Sequence, residues 1–219
     1  MSRRKSVSRR TFLETSATTA AVTLVARHVL GGPKHVPPSD RINVGFVGVG
    51  TQGMRQLMPA LQSQDLRIAA VCDPNRRSED YVEWSRFELR DKVRAFLDDT
   101  AWAEGARACP CGREIGREMV DRHYGSEAGA GCHAYADFRE MLAKETSLDA
   151  VYVMTPDHLH ATVALAGLKA GKHVITHKPL GNVLHEARLV IDAAGRTGAA
   201  THMFCAAGQE STAQLCEWI

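Results

Sequence analysis

From residue 42 onward, apolar residues come in short runs separated by stretches of helical spacing. Ile42, Val44, Phe46 and Val47 form the first run, which suits a buried parallel strand. Met54, Leu57, Met58 and Leu61 then recur at helical spacing, and Ile68 to Cys72 makes a second apolar run. Further on, Asp149 to Met154 predicts a strand closed by Thr155-Pro156, followed by a helix from about His158 to Ala170. A strand at His173 to Thr176, a helix from about Leu184 to Arg196 and a strand from about Ala199 to Cys205 complete the series. Strands alternating with helices of this length specify an α/β fold, a doubly wound parallel sheet covered on both faces.

One stretch breaks the alternation. Residues 75–131 are long, charged and mostly helical in pattern, with Trp84, Phe87, Leu89, Val93, Phe96 and Leu97 in one segment and Ile115, Met119 and Val120 in another. This reads as a helical insertion lying against the edge of the sheet. Order returns at Tyr135, and Asp137 is placed to cap a short helix through Leu142.

Between the first strand and its helix lie Gly48, Gly50 and Gly53, in G-x-G-x-x-G spacing with Thr51 and Gln52. A dinucleotide site needs this arrangement: a sharp turn at the first glycine, close backbone approach to a pyrophosphate at the second, tight helix–strand packing at the third. The pyrophosphate then rests on the free N–H groups of the helix N-terminus. Such glycine turns are common, so the context decides. Here a strand precedes, a helix follows, and Asp73 stands twenty residues past Gly53 at the end of the second apolar run. Its carboxylate can accept hydrogen bonds from the adenosine ribose, which makes NAD the expected cofactor. The blander role for Asp73 is to open a turn with Pro74 and Asn75. Arg76 and Arg77 are within reach of a 2′-phosphate, which keeps NADP open, although an exposed solvated pair is the favoured reading.

In such a sheet, ligands bind at the carboxyl ends of the strands. Thr155 to His160, His177 to Leu180 and the segment after Cys205 should therefore face the cleft of the glycine loop. Pro156 and Asp157 suit the start of a helix, with His158 and His160 behind them. Lys178, directly before Pro179, can polarise a substrate hydroxyl and stabilise a developing oxyanion.

Composition changes little in this picture. The 219 residues carry 44% hydrophobic and 24% charged residues and a net charge of +2, too small to argue for a nucleic-acid partner. Aromatic residues at 6% weaken any base-stacking reading. Of six cysteines, Cys72 and Cys205 fall in predicted buried strands. Cys109-Pro110-Cys111 with His123, Cys132 and His133 invites a metal reading, but C-x-C is not a zinc spacing. No metal is expected, and the thiols read as free or paired in a loop, with a Cys111–Cys132 disulfide open to an exported protein.

The first forty residues have another character. Met1 to Arg10 is basic, and Ser8-Arg9-Arg10-Thr11-Phe12-Leu13 resembles a twin-arginine export signal. Ala17 to Ala26 is mildly apolar and too short to span a bilayer, which takes about 20 apolar residues. A signal peptide read by the twin-arginine export machinery is expected, with Gly31 to Ser39 as a proline-rich linker and a periplasmic or secreted location. Glu14 and the lack of a clean A-x-A site before Arg27 depart from that pattern; a disordered basic tail on a cytoplasmic protein is the alternative.

Four pieces in order resemble the Gfo/Idh/MocA oxidoreductases, the family of glucose–fructose oxidoreductase and inositol dehydrogenase. They are Val47 to Gly53, Val71-Cys72-Asp73-Pro74, Asp149-Ala150-Val151 with Thr155 to His160, and Gly171-Lys172-His173-Val174 with His177-Lys178-Pro179-Leu180. The resemblance implies that Lys178 contacts substrate and nicotinamide and that His160 lies beside the nicotinamide. His177 stands where the family usually has glutamate, which alters the electrostatics around Lys178. It further implies a sugar-like or polyol substrate and a second α/β domain that supplies the acid–base pair. Gly208 to Ile219 reads as the opening helix of that domain, cut short, so the expected domains are 1–40 (signal and linker), 41–207 (dinucleotide-binding, with 75–131 inserted) and 208–219. Family dimers commonly pair through the second domain, which leaves room for a homo-oligomer in the full-length form.

Three functions follow: an NAD(P)-dependent oxidoreductase of sugars or polyols, an NAD-dependent glycoside hydrolase of the same superfamily, and a nucleotide-binding module without turnover. The chain alone is expected to bind dinucleotide and turn over little.

Overall fold

The computed structural model describes residues 36–37, 40–83, 87–125 and 131–204. The expected leader, most of the linker, Trp84, Cys205 and the segment from Gly208 lie outside the described residues. The chain divides into two units, Met1–Ser39 and Asp40–Ile219, and the second holds the whole sheet.

That unit runs β1 (Ile42–Val47), α1 (Thr51–Gln62), β2 (Leu66–Cys72), α2 (Glu88–Leu97), α3 (Arg113–Tyr124), β3 (His133–Tyr135), α4 (Phe138–Lys144), β4 (Ala150–Val153), α5 (Asp157–Lys169), β5 (His173–His177), α6 (Leu184–Thr197) and β6 (Thr201–Phe204). All five strand pairings are parallel, and the strand order is β3-β2-β1-β4-β5-β6. This is the Rossmann order, in which crossovers run one way from β1 to β3 and the other way from β4 to β6. Because both faces are covered, the central strands read as nearly unbroken apolar runs; the last four residues of β1 and the last five of β2 are buried.

Two hydrophobic cores flank the sheet. Val44, Phe46 and Ile68 meet Met54, Leu57 and Leu61 of α1, Leu89 and Val93 of α2, and Ile115 and Met119 of α3. On the other face, Val47, Val151 and Val174 meet Met141 of α4, Val163, Ala164 and Leu168 of α5, and Val190 of α6. Burying one large apolar side chain contributes about 1.5–3 kcal/mol, so α1, with Met54, Leu57, Met58 and Leu61 inside together with Ala60, is held firmly against the sheet.

Two expectations need correction. First, α3 is not an insertion beside the sheet edge. It packs on the faces of β2 and β3 and supplies the crossover that any parallel β2–β3 pair requires. Its approach lacks helix over residues 75–83 and 98–112, either side of α2. Second, β3 begins at His133 and is a genuine strand, pairing His133, Ala134 and Tyr135 with Ala70, Val71 and Cys72. Three residues without an apolar run carry no period to detect.

Tyr124, at the last position of α3, is buried, and its hydroxyl oxygen accepts the Ile68 amide N–H at 2.9 Å. Tyr124→Phe should leave that amide unpaired and lower stability by about 1–3 kcal/mol. Urea unfolding measures this; an unchanged midpoint would mean that Ile68 finds another acceptor.

Candidate functional site

The crevice of this fold opens where crossovers diverge, between the carboxyl ends of β1 and β4. Gly48, just past β1, has φ +94°, and a Cβ there would lie 2.5 Å from the backbone of Met154. The Gly48 N–H donates to Cys72 O at 2.8 Å, and the Met154 N–H donates to Val47 O at 2.7 Å. The ends of β1, β2 and β4 are thereby tied into one rim. Gly53 closes the turn from the other side, since a Cβ on it would fall 2.0 Å from Gly48 O. No side chain caps α1, so its first amide groups keep the free donors expected of a helix N-terminus.

A cavity of about 360 Å³ adjoins this rim, lined by Gly48, Asp73, Pro74, Phe138, Thr155 and Pro156 among others. Its size is in the range of small-molecule pockets. The Thr155 hydroxyl oxygen is buried there and has no hydrogen-bond partner among the described residues. An orphaned polar atom and a glycine turn beside a cavity at the switch point fit an adenosine dinucleotide.

Asp73 is 5% exposed, and both of its oxygens are engaged. Oδ2 accepts the Val49 N–H at 2.8 Å; Oδ1 accepts the Asn75 N–H at 2.9 Å and the Tyr81 hydroxyl at 2.7 Å. The turn with Pro74 and Asn75 and the placement at the cavity are therefore both real. Arg113 reaches over from α3 to donate to Asp73 O at 3.1 Å and Pro74 O at 2.7 Å. Sequence reasoning missed Tyr81 and Arg113, which sit in turn-rich or charged stretches with no period. Arg76 and Arg77 are exposed and do not line the cavity.

At the end of β5 the polar groups are different. His177 donates from Nδ1 to Lys178 O at 3.1 Å, which leaves its Nε2 lone pair towards Gln52 Nε2 at 3.4 Å. Gln52 belongs to the first turn of α1, so this contact joins the glycine loop to the β5 end. Burial holds the His177 imidazole below its ordinary pKa, and electrostatic interaction with the neighbouring His160 and Lys178 pushes the same way, against the raising effect of the Lys178 carbonyl. Lys178 itself is exposed, with its backbone N–H on Phe204 O at 3.1 Å, and the Lys178–Pro179 peptide is cis.

Three candidate site residues are placed differently from expectation. His160 is 1% exposed, and its ring nitrogens lie 2.6 Å from Pro179 O and 2.8 Å from Thr155 O. In this structure it ties the β4 turn to the β5 turn, between Thr155 and the Lys178–Pro179 turn. His158 is exposed, in the first turn of α5, and does not line the cavity. Thr51 spends its hydroxyl on Val82 O at 2.7 Å. Gly48, Asp73, Thr155 and Pro156 do line the cavity, whereas Gln52, His177 and Lys178 gather at the opposite end of the rim.

The cysteines are a further correction. Cys72, Cys109, Cys111 and Cys132 are all free and buried; Cys109, Cys111 and Cys132 lie in loop segments, as expected, but their side chains pack into the core, and no Cys111–Cys132 disulfide is present. Burial pushes the Cys72 and Cys132 thiols up to about 12, and the contact with Cys109, ahead of burial, raises Cys111. Thiols held protonated are poor nucleophiles and poor ligands. Among the described residues, no three His, Cys, Asp or Glu side chains gather to hold a metal ion.

Fold and rim define a dinucleotide-binding Rossmann domain. The chain matches the Gfo/Idh/MocA family model, described as "Oxidoreductase family, NAD-binding Rossmann fold", over residues 118–204. It is similar to a glycosyl hydrolase family 109 protein of Shewanella pealeana, at 25% identity over 87% of this chain and 38% of the relative. A 59-residue stretch is 44% identical to 1,5-anhydro-D-fructose reductase of Ensifer adhaerens, covering 27% of this chain and 18% of that one. A solved scyllo-inositol dehydrogenase from Lactobacillus casei, with bound NAD(H) and scyllo-inositol, aligns over 74% of this chain and 36% of its own, at 16% identity and TM-score 0.48. The chain thus spans less than two-fifths of the length of these relatives.

The lowered pKa of His177 gives a pH prediction. The folded state favours neutral imidazole, so this group's contribution is fully present above the unfolded value of about 6.5 and is lost as pH falls through the lower folded value. Between about pH 8 and 5, the melting temperature of the wild type should fall more than that of His177→Gln. Parallel declines would show that His177 titrates alike in both states.

Proposed function

We propose that this chain is the cofactor-binding part of an NAD-dependent oxidoreductase acting on sugar-like or polyol substrates. The observation that carries the reading is the single rim formed by the glycine turn, Asp73 and Thr155 at one end and Lys178 at the other. The adenosine half of the dinucleotide belongs in the cavity by Asp73, its pyrophosphate on the N-terminus of α1, and its nicotinamide towards the β5 end. Bound there, the cofactor supplies a hydride acceptor or donor.

The chain's own residues then have separable tasks. Lys178, exposed at the mouth, donates to a substrate oxygen and offsets negative charge as the hydroxyl loses its proton. His160 keeps the Lys178–Pro179 turn in register with Thr155. His177, neutral where the family commonly carries a carboxylate, adds no negative charge that would hold the Lys178 ammonium in an ion pair. The reductase named among the relatives supports a sugar-like substrate for the whole protein.

A second reading is favoured by one observation: the relatives aligned over most of this chain carry the name glycosyl hydrolase family 109. Net reduction of NAD by substrate supports the oxidoreductase, whereas release of an aglycone with no net change in NAD supports the hydrolase. Dinucleotide binding without either would leave a binding module.

Calorimetry should give NAD(H) a dissociation constant at least about tenfold below that of NADP(H), because Asp73 repels a 2′-phosphate. Equal or tighter NADP(H) binding would hand selectivity to Arg76 and Arg77. In the whole protein, Lys178→Ala should lower kcat by about 10²-fold, the scale of one lost electrostatic donor, with NAD binding little changed. An unaltered kcat would remove Lys178 from the reaction.

A further inference from the structure

The segment after β2 folds back over the glycine turn. The Tyr81 ring lies against Gly50, where an added Cβ would come within 3.0 Å of it. Val82 is fastened to α1 through the Thr51 hydroxyl at 2.7 Å, and Glu83 to α1 through Arg55 at 3.4 Å and to α2 through the Leu89 N–H at 3.0 Å. The Tyr81 hydroxyl donates to Asp73 Oδ1 at 2.7 Å and accepts from Asn75 Nδ2 at 2.9 Å. Burial first, and the Asp73 bond second, raise the phenol well above its ordinary range, so it remains a donor at any working pH.

Counting acceptors gives the consequence. An ionised carboxylate offers about four lone-pair sites, two on each oxygen. On Oδ1 both are filled, by the Asn75 N–H and the Tyr81 hydroxyl; on Oδ2 the Val49 N–H fills one. Two ribose hydroxyls donating to the same carboxylate need one site on each oxygen. The two backbone amides are fixed by the turn and the glycine loop. The Tyr81 hydroxyl is therefore the donor that can leave, and its ring already borders the cavity that adenosine would enter.

We infer that Tyr81 determines affinity and selectivity at the cofactor site: its hydroxyl stands in for an adenosine ribose hydroxyl on Asp73, and a dinucleotide binds by displacing it. This rests on the dinucleotide reading above and goes beyond it. Ligands with an intact ribose diol can take over the Oδ1 bond; ligands without one cannot, and leave Tyr81 in place.

Calorimetry on the 219-residue chain, as wild type and Tyr81→Phe, tests this with NAD⁺, ADP and 2′,3′-dideoxy-ADP. The variant keeps the ring against Gly50 and loses only the hydroxyl. It should bind NAD⁺ and ADP about tenfold more tightly, the scale of one hydrogen bond to a charged group, and dideoxy-ADP within about twofold of wild type. Asn75→Ala, which removes the other partner of the hydroxyl, should shift NAD⁺ affinity the same way but less, and serves if Tyr81→Phe melts early. Unchanged or weaker NAD⁺ binding in the variants would overturn the inference. So would an equal gain for all three ligands, which would mean that the ring was loosened. If folded wild type and variants all ignore NAD⁺, the dinucleotide reading fails and this inference falls with it.

Discussion

Everything at the site depends on how closely the turn after β1 approaches the turn after β4. Gly48 is pressed against the backbone of Met154 so tightly that no side chain fits between them. The contact is possible because β1 and β4 are neighbours whose crossovers run in opposite directions, so no helix fills the crevice between their ends. Backbone hydrogen bonds from the Gly48 N–H to Cys72 O and from the Met154 N–H to Val47 O fix the approach from both sides. Asp73, Thr155 and the N-terminus of α1 are then brought to one rim by the sheet, and none of them needs a loop of its own to get there.

Along that rim, charge and donors are sorted. The adenosine end offers a carboxylate, an orphaned hydroxyl and free helix amides, a set that suits a ribose and a pyrophosphate. The β5 end offers the Lys178 ammonium and a neutral His177. A buried histidine joins the two turns at the second end, holding one backbone carbonyl from each. Buried polar groups are tolerated where they are hydrogen-bonded, and the His160 ring places a nitrogen within hydrogen-bond distance of each carbonyl, its N–H donating. Its tie is what lets Lys178 be exposed and still placed.

Most of the fold was legible because most of it has a period. The glycine spacing, the apolar runs of β1, β2, β4 and β5, and the Asp137 cap, whose carboxylate accepts the Arg139 N–H, follow from local physics. β3 was missed because three residues of mixed polarity carry no period, and α3 looked like an insertion because its role as a crossover follows only once β3 is known. At the site, Asp73 and Lys178 could be read from their positions at strand ends. Tyr81 could not: it lies among Arg, Ser and Asp residues in a stretch without helix, and only the fold brings it back to Asp73. His160 was placed beside the nicotinamide by family resemblance, and only the fold reveals that its buried ring also ties the two turns through two carbonyl neighbours.

The central claim is that a dinucleotide lies across the β1–β4 crevice, and a crystal structure of the chain grown with NAD⁺ tests it most directly. The account predicts adenosine in the cavity between Asp73, Pro74 and Thr155, the pyrophosphate on the amides at the start of α1, and nicotinamide towards Lys178. Nucleotide density elsewhere on the chain, or a bound NAD⁺ with its adenosine end at β5 and its nicotinamide by Asp73, would contradict it.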